Sequence, residues 1–162
     1  MRYFGLVCIA LIGSLSTPSA FCQQIAVTGD AATPITISAA DLAKMTHISG
    51  TVLEGDTVVT YQGVQLSEIL KKAGVPFGGG IKGAELLGVI IAKGEGGKTV
   101  AFTYGEIDPD IGGTSIIVAD QVGGVPITGE HGPLHLVVLT DRGNARFIDK
   151  IATLQLMHVA AK

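Results

Sequence analysis

Twenty-three glycines in a chain of 162 residues divide the apolar sequence into short runs. Such spacing favours turns and close backbone approaches over long helices. The runs have strand character. Ile25–Val27 and Ile35–Ile37 alternate apolar and polar side chains, as a half-buried strand does. Ile48–Thr60 alternates around Gly50 and turns at Glu54-Gly55-Asp56, reading as a hairpin or two short strands. Leu86–Ala92 and Thr99–Tyr104 are apolar strands joined by the polar, glycine-rich turn Lys93–Lys98. Ser115–Ala119, Leu134–Leu139 and Ile151–Val159 supply three more, with turns at Gly123-Gly124 and His131-Gly132-Pro133.

Two segments depart from this pattern. Ser38-Ala39-Ala40-Asp41 has capping-box spacing with Asp in the place of Glu, which predicts a short helix over Asp41–Met45. Leu66, Ile69, Leu70 and Ala73 fall on one helical face, and that helix should stop at Gly74 because Pro76 cannot continue it. No repeat, linker or low-complexity tail appears, so residues 23–162 read as one β-rich domain.

Residues 1–22 read differently. A basic start at Met1-Arg2-Tyr3, an apolar run from Phe4 to Leu15 and a small-residue stretch ending Ser19-Ala20-Phe21-Cys22 have the order of a cleavable export signal. The run is shorter than the ~20 residues a membrane-crossing helix needs, so no membrane span is expected once the signal is removed. Cleavage is expected after Ala20 or after Cys22, delivering a periplasmic or secreted protein. Both cysteines, Cys8 and Cys22, lie in this segment, so the exported domain can form no internal disulfide. Loss of Arg2 takes the formal charge from −3 to −4, which excludes a nucleic-acid footprint. Apolar residues at 47% against 15% charged are enough for a sizeable core.

Most candidate motifs have a structural reading. Gly78–Gly83 satisfies G-x-G-x-x-G but follows a helix and Pro76, so a surface loop is expected in place of a nucleotide site. His131 and His135, with Glu130 or Asp141, have residue types that ligate transition metals. Their spacing is unspecific, and His135 alternates with Val137 and Leu139, so a half-buried, hydrogen-bonded histidine is expected and no metal site is assigned. His47 and His158 read as isolated rim residues. Glu106, Asp108, Asp110 and Asp120 lack calcium-loop spacing and read as a solvated turn. Ser67 and Ser115 have no triad around them, and Glu130 with Asp141 would need a cleft to act as an acid–base pair. Arg142 and Arg146, flanking a glycine turn, could form a fork for a phosphate or carboxylate. The alternative is ion pairing with Asp141 and Asp149.

Three stretches taken together resemble the molybdopterin-binding oxidoreductase domain of the sulfite oxidase type, in a short exported form. They are Tyr61–Gly74; Phe102–Pro109 with Ile117–Asp120 and Gly124–Pro126; and Gly132–Asp141. The resemblance runs from about Ile35 to Leu156 and implies a mixed α+β fold with a strongly β core. In that family a cysteine thiolate ligates molybdenum, while arginines and a histidine hold the pterin phosphate and an oxyanion substrate. This chain has no cysteine after Cys22, His135 where the family tends to have arginine, and Phe147 where it tends to have tryptophan. The expectation is a domain without the metal-ligating cysteine and without assigned catalytic residues, acting as an accessory or small-anion-binding protein. His131, His135, Arg142 and Arg146 are its candidate ligand residues, and its partner is a small anionic ligand or a periplasmic protein. The alternative is a molybdopterin-dependent oxidoreductase; a third reading, a module that only binds a protein partner, would expose a large apolar patch.

Overall fold

The computed structural model describes residues 23–30, 33–79 and 81–159; the expected export signal, both cysteines and Gly80 lie outside them. Among the described residues, ten strands and three short α-helices follow in chain order, a mixed α+β architecture with a β core, as the sequence implies. No helix among the described residues is long and apolar enough to cross a membrane.

One sheet contains β1 (Gln24–Gly29), β2 (Ile35–Ser38), β5 (Gly88–Gly94), β6 (Thr99–Thr103) and β10 (Ile151–His158). Its order is β2-β1-β10-β5-β6. β1 and β10 run parallel, and the other pairs are antiparallel. The second sheet contains β3 (His47–Glu54), β4 (Thr57–Gln65), β7 (Ile116–Val122), β8 (Val125–Pro126) and β9 (His135–Val138). Here β3 pairs β4, β4 pairs β7, and β8 and β9 pair with successive stretches of β7. Ile25, Ile90 and Leu154 of the first sheet share one buried cluster with Val64, Ile117 and Leu136 of the second.

The helices follow their local chemistry. Ser38 caps α1 (Ala39–Leu42): its hydroxyl accepts from the Asp41 N–H at 3.1 Å, and the Asp41 carboxylate accepts from the Ser38 N–H at 3.0 Å. The helix therefore starts two residues earlier than predicted and does not reach Met45. α2 (Leu66–Lys72) buries Leu66, Ile69 and Leu70, and Gly74 follows it at φ +81. α3 (Tyr104–Ile107) had no periodic signal; the Thr103 hydroxyl accepts from the Glu106 N–H and starts it.

Two expectations are corrected. Leu86 and Leu87 do not open a strand but sit exposed in a 3-10 turn over Gly83–Leu87. The Glu85 carboxylate accepts from the Lys82 N–H, and this local cap decides the backbone ahead of hydrophobicity. Asp108 is fully buried and not part of a solvated turn. Its two oxygens accept from the Gly78 N–H at 2.7 Å and the Asp110 N–H at 2.8 Å, which offsets the cost of burying a carboxylate. Asp108 thereby anchors Gly78 at the start of the Gly78–Gly83 stretch; among its described residues, Gly78, Gly79, Ile81 and Lys82 lie outside any helix or strand, and Gly83 opens the 3-10 turn.

Candidate functional site

Leu136 and Ile148 exchange backbone hydrogen bonds of 2.9 and 3.0 Å in an antiparallel bridge. In that register the preceding residue on one side stands opposite the following residue on the other, so His135 meets Asp149. The bridge thus joins residues that the sequence separates by a turn. Asp149 Oδ1 lies 3.5 Å from His135 Nδ1 and 2.8 Å from His131 Nδ1. The two imidazoles stack, 6.0 Å between centroids and 25° between planes. One donor atom from each of His131, His135 and Asp149 lies within 4.8 Å of the other two.

These groups line a cleft of about 530 Å³, together with Glu54, Tyr61, Lys98, Phe147 and the β8 segment Val125–Pro126. His135 forms its floor. It is 6% exposed, with Tyr61 at 5.6 Å and Phe147 at 5.7 Å between ring centroids. The half-buried, hydrogen-bonded state expected from alternation is corrected, because both faces of β9 are covered. His135 Nε2 is buried with no hydrogen-bond partner among the described residues, a costly condition for a polar atom. Burial, ahead of the opposing pull of Asp149, pushes the His135 pKa down and keeps the ring neutral. His131 is exposed, and its hydrogen bond to Asp149 raises its pKa. Tyr61 donates to Glu54 Oε1 at 2.8 Å. Burial first, then that carboxylate, holds its phenol protonated well beyond the usual range.

The arginines stand apart from this cleft. Arg146 donates from Nε and Nη2 to the two Asp141 oxygens at 2.8 and 2.6 Å, and from Nη1 to Glu106 at 2.7 Å. Its guanidinium also lies 5.3 Å from the Phe102 ring centre. Asp141, with Glu106 behind it, raises the Arg146 pKa further. This is the ion-pair alternative, with Glu106 as the second partner in place of Asp149, which serves the histidines. Arg142 is exposed and does not line the cleft. Asp141, committed to Arg146, is a partner neither for the histidines nor for Glu130 as an acid–base pair; Glu130 is 88% exposed beside His131. His47 is not isolated: its Nε2 lies 3.0 Å from Asp120 Oδ2 and its Nδ1 3.0 Å from the Met45 carbonyl. His158 lies 3.8 Å from Asp30.

Of the four candidate residues, the fold brings His131 and His135 into one cleft and leaves both arginines outside it. Asp149, Tyr61 and Glu54 were missed as site residues. Asp149 could be suspected only from the matching of Leu136 with Ile148, and Tyr61 stands on β4 of the same sheet.

The molecule is thus an α+β two-sheet domain with a histidine–carboxylate cleft beside β9. No family model and no curated protein matches the chain significantly. Among solved structures it is similar to the sulfane dehydrogenase SoxCD from Paracoccus pantotrophus. The TM-score is 0.64 and the identity 20%, over 85% of this chain and 39% of that one. The chain therefore spans well under half the length of this structural neighbour, and at such identity the likeness concerns the fold.

Proposed function

We propose that this chain is an exported binding protein built on a molybdopterin-oxidoreductase-type fold, accessory to redox chemistry and taking a small anion in the His131–His135 cleft. The observation that carries the reading is the composition of the cleft: it gathers the basic side chains Lys98 and His131 with the hydrogen-bonding groups of Tyr61, Thr128 and Asn144. The apolar segment Phe4–Leu15 supports export to the periplasm or beyond.

The residues do not fit the cofactor that the resemblance implies. The described residues contain no cysteine, so the soft thiolate that suits such a metal is missing. Arg146 is spent on two carboxylates, and Arg142 does not line the cleft. The cleft offers imidazole, carboxylate and phenol instead. No step through molybdenum is derived.

The second reading, a molybdopterin-dependent oxidoreductase, is favoured by one observation, the shared fold with a sulfane dehydrogenase. Metal and pterin analysis of the protein purified from its native compartment separates the two. The expected result is no stoichiometric molybdenum and a rise in melting temperature on adding inorganic phosphate or sulfite. One molybdenum per chain would overturn the binding-protein reading.

A further inference from the structure

The cleft has a charge problem as an anion site. Glu54 and Asp149 oppose Lys98 and His131 across the same walls, so protein groups alone leave little net positive charge for an anion. The arginines that could have supplied it lie elsewhere. At the same time His135, nine-tenths buried, keeps Nε2 without a partner, and its Nδ1 meets Asp149 only at 3.5 Å. His135 Nδ1 thus has no close protein partner, and one donor atom each from two imidazoles and a carboxylate converging within 4.8 Å is a donor set of the kind that ligates a cation.

We propose that His131, His135 and Asp149 form a site for one divalent transition-metal ion of the zinc class, and that the small anion binds in the cleft through this ion. The second half rests on the anion reading above; the first stands without it.

The geometry is close to what such an ion needs. Metal–donor bonds of about 2.0–2.2 Å at tetrahedral angles set donors about 3.3–3.6 Å apart. The present separations from Asp149 Oδ1 are 2.8 and 3.5 Å, and no pair in the trio exceeds 4.8 Å. His131 can make the adjustment because it is 58% exposed and lies in the turn between Gly129 and Gly132. His135 and Asp149 are held by the Leu136–Ile148 bridge. Two imidazoles select zinc, cobalt, nickel or copper over calcium or magnesium. Three protein donors leave a coordination position open, and an oxyanion can occupy it. The ion would convert a cleft of mixed charge into a positive one, which is what an anion requires.

The test uses the exported protein stripped with a chelator. Cobalt(II) is titrated and followed by visible absorption, and zinc(II) is titrated by calorimetry. One equivalent of metal should bind, and Asp149→Asn and His135→Ala should each weaken it by about tenfold or more; His47→Gln should leave it unchanged. Asp149 is half exposed, so Asp149→Asn remains informative if His135→Ala fails to fold. Absence of one-to-one binding, or affinity indifferent to Asp149→Asn, overturns the metal site. Inorganic phosphate is then titrated into the stripped and the zinc-loaded protein. Binding only to the loaded form supports both halves. Equal binding to both forms overturns the metal-mediated route and leaves the anion reading standing. Metal binding without phosphate binding overturns the anion reading and leaves the metal site.

Discussion

Arg146 grips Asp141 through two parallel hydrogen bonds of 2.8 and 2.6 Å, and its third arm reaches Glu106 forty residues earlier, on α3. An arginine that could have served as an anion fork is thereby a structural clasp. Planar, bidentate pairing of this kind is specific to guanidinium.

The clasp predicts a stability phenotype without a binding one. Arg146→Ala should cost about 1.5–3 kcal/mol, the scale of a hydrogen bond to a charged group, and Arg146→Lys should restore only part of it. Urea denaturation measures the loss. Phosphate binding should fall with Lys98→Ala and hold with Arg146→Ala; the reverse order would return the arginine to the anion site.

His135 predicts an opposition between stability and binding. Its buried Nε2 lacks a partner, and removing an unsatisfied polar atom relieves a penalty of about 1–3 kcal/mol. His135→Phe should therefore leave the metal-free protein as stable as the parent or more so, while zinc binding is lost. A clear drop in the denaturation midpoint would show that the ring has a structural partner.

His47 predicts a pH dependence. The hydrogen bond to Asp120 Oδ2 outweighs burial and raises its pKa. A folded-state pKa above the unfolded value gives stability that is complete below the unfolded pKa, about 6.5, and is lost as pH rises through the folded value. The gap in urea midpoint between the parent and His47→Gln should accordingly narrow on going from mildly acidic to alkaline conditions. A constant gap would remove the ion pair from the account. His131 shifts in the same direction and His135 in the opposite one, so the difference from His47→Gln is the quantity to read.

Gly63 predicts a steric cost. It lies on β4 at the register shift against β7, where a Cβ would overlap the Val118 carbonyl and the Ala119 Cα. Gly63→Ala should destabilise by about 1–3 kcal/mol through overpacking. Gly96→Ala, with open space at its Cβ, should stay within about 0.5 kcal/mol. Thermal unfolding of the two variants side by side checks this.

What could be read from the sequence was what depends on near neighbours. Period-two alternation marked the strands, the Ser38–Asp41 box marked α1, and the spacing of Leu66, Ile69 and Leu70 marked α2, because each is decided by residues within a turn or two. The same local reading failed at Leu86 and Leu87, where the Glu85–Lys82 cap was the unrecognised local competitor. The three resembling stretches carried the α+β class, since their order along the chain is itself sequence information.

The site was decided by pairing between distant segments. Whether Asp141 or Asp149 faces the histidines follows from the Leu136–Ile148 register, whether His135 is half or fully buried follows from the packing that covers both faces of β9, and whether Arg146 points to a cleft follows from its contact with Glu106 forty residues away. Sequence proximity favoured Asp141, but a one-residue change of register turns a side chain to the opposite face. That choice is made by the packed core as a whole, and no local pattern contains it.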